Sequence, residues 1–183
     1  MQIEAQRLSL EQYRAYCDAH ASEGREFELL DGVMMEKDMA SYASSKIAAR
    51  IIYYLTAYIM ENPIGEITGS DGTYIMDENN SFIPDAAYIS HVRLPADVPR
   101  EVPIPPALAV EVKSSTDSKR ALRRKAERYL ELGTRMVWLV FPDEQQVEVY
   151  VASADVITLT SADALDGGEV LPNFQLAISK LWV

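Results

Sequence analysis

At 183 residues, with 48% hydrophobic and 25% charged residues, the chain has the composition of a soluble globular protein, neither disordered nor membrane-embedded, and a length suited to a single domain, residues 1–183, with a full core. Its 17 basic residues stand against 28 acidic ones, and the net charge of -11 opposes approach to a polyanion over most of the surface. One cysteine, Cys17, excludes an intramolecular disulfide and a cysteine-rich zinc site, so with only His20 and His91 any metal chemistry must be mostly carboxylate chemistry.

The N-terminal stretch MQIEAQRLSL lacks the basic and apolar regions of a signal peptide. The longest apolar run, MVWLVF at 136–141, is far short of the ~20 residues that span a bilayer, so a cytoplasmic location without membrane contact is expected. Ser9 followed by Glu11 and Gln12 predicts an N-capped amphipathic helix over LSLEQYRAYCDAH. FELLDGVMMEK, 27–37, reads as two short strands around an Asp31-Gly32 turn. Ile47, Ile51, Leu55, Tyr58 and Ile59 recur at helical spacing in 41–61, and Asn62-Pro63 ends that helix.

Strands are then predicted near GEITG and TYIMD, with FIPDAAYIS at 82–90 as a third after the turn ENNS. LPADVPREVPIPP, 94–106, is too rich in proline for a regular element and leads into ALAVEVK. Asp117 or Ser118 can cap the next helix, which runs to about Leu132 or Gly133 with Ala121, Leu122, Ala126, Tyr129 and Leu130 on one face. MVWLVF, QVEVYVA and DVITLT are further strands, and LPNFQLAISKLWV returns apolar residues to the core. The order of elements predicts an α/β fold in which helices pack on a mixed sheet.

Within ALAVEVK, residues two apart share a face, so Glu111 and Lys113 project together while Val110 and Val112 face the other way. Asp85, after Pro84, is a second acid inside an apolar stretch. Two carboxylates from adjacent strands can hold a hard cation, and a nearby lysine can orient or deprotonate an attacking water and stabilise phosphorane charge. The bland alternative is an ion pair on a solvated sheet face.

Pro84-Asp85 and, 25 residues later, Glu111-Val112-Lys113 resemble the PD-(D/E)XK signature of restriction-endonuclease-like nucleases. LSLEQYRAY, FELLDG, PDAAYIS, PALAVEVKSST, KAERYLELGTRMVWLV and LPNFQLAI resemble, in that order, the Uma2 family of restriction endonucleases. The resemblance implies a restriction-endonuclease-like mixed central β-sheet flanked by helices. It makes Asp85 and Glu111 ligands of Mg2+ or Mn2+, with the Val112 carbonyl as a third oxygen, Lys113 the catalytic lysine and Glu28 an added acid from the N-terminal element. Many relatives carry the lysine on the following helix, where Lys125 stands, so either lysine can hold the role. They also usually carry a histidine in the stretch equivalent to DMASYASSK, which has none.

Lys119, Arg120, Arg123 and Arg124 lie close by and are candidates for phosphate contact. The expected function is a magnesium-dependent endonuclease acting on DNA, for which a homodimer would suit two-strand cleavage. The alternative is a module of the same fold that binds nucleic acid or protein and cleaves nothing.

Overall fold

Ser9 starts the first element of the structure, a computed structural model that describes residues 7–183. The expectation that the N-terminal stretch holds no signal peptide falls in part on residues 1–6, outside the described residues. The Ser9 hydroxyl accepts from the Gln12 N–H and the Gln12 side chain accepts from the Ser9 N–H, a capping box that begins α1, Leu10–Ala19. Tyr13 of α1 packs on Phe27 and Leu29 of β1, Phe27–Leu30. An Asp31-Gly32 turn with φ of +52° and +78° returns the chain along β2, Val33–Glu36. Asp and Gly are the residues that tolerate this left-handed pair.

Ser41 caps α2, Tyr42–Glu61, and Asn62 ends it before Pro63. Next come β3, Gly65–Thr68; β4, Tyr74–Asp77; β5, Asn80–Phe82; and β6, Ala86–Ser90. The long link meets β4 through backbone bonds of Val102 with Thr73 and Ile75, then enters β7, Leu108–Val112. The rest is α3, Lys119–Glu131; β8, Met136–Phe141; β9, Gln146–Val151; β10, Ile157–Leu159; and a terminal pair, β11, Ala164–Asp166, and β12, Gln175–Ala177.

The central sheet has the order β10-β9-β8-β7-β6-β3 and is mixed, because β7 and β8 run parallel while its other neighbours are antiparallel. Alternation along β7 decides what each face carries. Leu108, Val110 and Val112 join Ile47, Ile51 and Leu55 of α2 in one core, and Ala109 joins Leu122, Ala126 and Tyr129 of α3 in the other. Glu111 belongs to the α3 face.

The sequence predicts one strand over 82–90, and the structure divides it. β5 belongs to a second sheet, ordered β2-β1-β5-β4, whereas β6 belongs to the central one. The crossing is Ile83-Pro84-Asp85, where proline has no N–H for a ladder and the chain changes partners. No helix among the described residues is long and apolar enough to cross a membrane.

Ile51 is fully buried beneath α2, while Tyr53 on the same helix is exposed. Ile51→Ala should lower unfolding free energy by about 2–5 kcal/mol. Tyr53→Ala should change it by no more than about 0.5 kcal/mol, with urea denaturation as the measurement.

Candidate active site

The crossing between the sheets sets the geometry of the site. The Ile83 N–H donates to Glu28 Oε1 at 2.6 Å, and the Ile83 carbonyl accepts from Lys37 Nζ at 2.8 Å. The Asp85 N–H stays with the Val110 carbonyl, and Asp85 Oδ2 accepts from the Val112 N–H at 2.8 Å. The carboxylate therefore satisfies the end of β7 where Pro84 interrupts pairing. Its other oxygen is 3.2 Å from Lys37 Nζ, and Lys37 also donates to the Ser70 carbonyl.

Phe27 and Leu29 face α1, so Glu28 between them points away, towards α3. Lys125 Nζ lies 2.8 Å from both oxygens of Glu28 and 2.8 Å from Glu111 Oε1. One turn along α3, the Tyr129 hydroxyl donates to the same Glu111 oxygen at 2.8 Å. Glu28, Glu111, Lys125 and Tyr129 are all buried. Glu28, Asp85, Glu111, Lys37 and Lys125 line one cavity of about 540 Å3 between α2 and α3.

Three carboxylates face two ammonium groups here, and burial first, then that excess of acid, set the titrations. Burial raises the Glu111 carboxyl from its ordinary value, to about 7, with Lys125 opposing the rise and Glu28 and Asp85 adding to it. Burial alone would depress Lys125, but Glu111 and Glu28 outweigh it and hold the ammonium above its usual value. Tyr129 is raised by burial and then by Glu111 and Glu28, so it remains a donor. Burial is the first cause for Glu111 and Tyr129, and the neighbouring carboxylates add to it.

The predicted residues do not all converge. Lys113 turns its ammonium onto the neighbouring Ser114 carbonyl at 2.8 Å and does not line the cavity, whereas Lys125 does. Lys119 pairs with Glu144 at 2.6 Å and Arg123 with buried Glu148 at 3.1 Å through Nε. Arg124 is 3.7 Å from Asp31 and lines the cavity, and Arg120 is exposed. Sequence reasoning missed Lys37. It follows β2 with no periodic signal of its own, and only the fold brings it to Asp85.

The donor set suits a hard cation of the magnesium kind. Among the described residues no group of three or more His, Cys, Asp or Glu side chains has metal-holding geometry. Asp85 and Glu111 instead offer two carboxylates in an electron-rich cavity, and magnesium takes one or two such ligands with water and substrate oxygens.

A mixed central sheet flanked by helices, with acids and a lysine gathered where its β6 and β7 meet the second sheet, is a nuclease-like α/β fold. The chain belongs to the Uma2 family, whose model matches residues 10–179 and carries the description "putative restriction endonuclease". A crystal structure described as a "putative nuclease belonging to DUF820", from Anabaena variabilis, shares the fold with a TM-score of 0.78 and 22% identity. The match covers 85% of this chain and 89% of that one. No curated protein matches the chain.

Because the folded protein binds the Glu111 proton more tightly than the unfolded chain, this group costs stability as pH rises from about 4.5 to about 7, and the cost is level above. Glu111→Gln removes that dependence. The stability of the parent relative to Glu111→Gln should fall across this window in denaturation at a series of pH values, and a level difference would refute the assignment.

Proposed function

We propose that the protein is a magnesium- or manganese-dependent endonuclease that hydrolyses phosphodiester bonds of DNA. The observation that carries the reading is the convergence of Glu28, Asp85 and Glu111 with Lys37 and Lys125 in one cavity. Membership of a family described as restriction endonucleases supports the same reaction.

Asp85 and Glu111 would hold the ion, with the Val112 carbonyl as a further oxygen. When bound, the ion would supply a Lewis acid for a phosphoryl oxygen and lower the pKa of a water nucleophile. The chain's own groups do the rest. Tyr129 and Lys125 fix the Glu111 carboxylate by two hydrogen bonds to one oxygen, and the Val112 N–H fixes Asp85. Lys125 keeps its proton and presents fixed positive charge where the phosphoryl oxygens gain negative charge. Glu28 holds Lys125 from the opposite side. Water oxygen bonds to phosphorus as the ester P–O bond breaks, leaving a phosphomonoester and an alcohol. Arg124, at the cavity, would contact a substrate phosphate.

The geometry supports Lys125 over Lys113 as the catalytic lysine. Lys125→Met should lower turnover by about 10²–10³, the scale of losing one preorganised electrostatic group, while Lys113→Met retains most activity. Lys125→Arg, which keeps the charge, controls for folding. Magnesium or manganese should raise the melting temperature of the parent but not of Asp85→Asn or Glu111→Gln. A folded parent that shows neither a metal-induced shift nor cleavage would instead be a binding module.

A further inference from the structure

The cavity is larger than the acid and lysine cluster needs, and its remaining wall differs in chemistry. Leu30, Met35, Ala48, Ala49, Ile52 and Leu122 line it alongside the charged groups. A volume of about 540 Å3 falls within the roughly 300–1,000 Å3 of pockets that enclose one small molecule, mostly apolar with a few polar groups that fix orientation. A phosphate has no use for an aliphatic wall. A nucleobase does.

The charges around the cavity argue against a continuous duplex. Exposed Glu36 and Asp38 line the cavity as well as the buried acids, and the chain carries a net charge of -11. Outside the buried cluster, three of the five basic side chains of α3 are closely paired with carboxylates, which leaves exposed Arg120 and cavity-lining Arg124 rather than a continuous track for phosphates. Lys119 is tied to Glu144, Arg123 to Glu148 and Arg128 to Asp31. Duplex DNA carries a negative charge every ~1.7 Å and depends on such a track, whereas single strands couple more weakly to charge.

Resting on the nuclease reading above, we infer that the substrate is single-stranded DNA, bound as one nucleotide whose unstacked base enters the aliphatic part of the cavity between α2 and α3. The base sits against Ala48, Ala49 and Ile52, and its phosphate lies towards Asp85, Glu111 and Lys125. An unpaired base reaches this pocket without the cost of leaving a duplex stack, which is a few kcal/mol for a paired one. That difference selects unpaired DNA.

Two measurements test this. In the first, a single-stranded oligonucleotide carrying a central 2-aminopurine and its duplex counterpart are titrated with protein in calcium, a hard cation that takes oxygen ligands. Emission should rise for the single strand, as the base unstacks on binding, and stay level for the duplex. Ala49→Leu, a change at an exposed helix position that narrows the cavity, should abolish most of the rise. The second compares cleavage of single strand, duplex and a duplex with an unpaired bubble in magnesium or manganese. The single strand and the bubble should exceed the duplex by at least about tenfold in kcat/KM.

Equal cleavage of duplex and single strand overturns the base pocket and leaves the nuclease standing. A rise in emission without cleavage of any substrate keeps the pocket and removes the nuclease. Neither emission change nor cleavage removes both.

Discussion

Lys125 between Glu28 and Glu111 is the interaction on which the site depends. It joins three elements that share no backbone ladder: β1 of the second sheet, β7 of the central sheet, and α3. Each ion has left water, and the effective penalty for that is several kcal/mol per ion, so the bridge is weak evidence for stability. What it supplies is register. Only one rotation of α3 satisfies both glutamates and brings Tyr129 onto Glu111, and Arg123 with Glu148 holds the same rotation from the far side of the helix.

That register explains why the acids stand at a join between sheets instead of in the middle of one. Within a regular strand the backbone satisfies itself, and an inward carboxylate has only side chains to answer it. At Ile83-Pro84-Asp85 the ladder stops, and free backbone groups orient the carboxylates: Ile83 N–H for Glu28, Val112 N–H for Asp85. The interruption that proline imposes on the sheet is the same feature that fixes the acids, each by one backbone N–H, with a lysine answering the rest of the carboxylate: Lys125 for Glu28 and Lys37 for Asp85.

Much of this was legible in the residues alone. Ser9 with Gln12, Asp31-Gly32, the Ile47, Ile51, Leu55 stripe and Asn62-Pro63 act over a few residues, so local chemistry decides them. The run 82–90 was misread as one strand because its composition is strand-like on both sides of Pro84, and nothing local says that Phe82 and Ala86 pair in different sheets. Glu111 and Asp85 were legible as acids inside apolar runs. Lys37 was not, because its meeting with Asp85 depends on how the β1-β2 hairpin folds over the crossing. The direction of Lys113 was hidden for a related reason. Strand alternation assigns a face, yet β7 ends at Val112, and past its end the side chain follows the turn into Ser114.

The acidic surface and the basic helix are one design once the pairs are traced. α3 holds six basic residues between 119 and 128, and in isolation it looks like a phosphate-binding face. Folded, it meets carboxylates from several directions: Glu144 and Glu148 from around β9, Asp31 from the hairpin, Glu28 and Glu111 from the two sheets. The positive charge is thus used to seat the helix over acids that would otherwise repel one another. The cavity keeps a surplus of carboxylate even so, and a surplus held in place by fixed lysines attracts a small divalent cation more strongly than it attracts a polyanion. Under the function proposed above, a substrate phosphate has reason to enter only where such a cation neutralises the carboxylates, which would couple the approach of nucleic acid to Asp85 and Glu111.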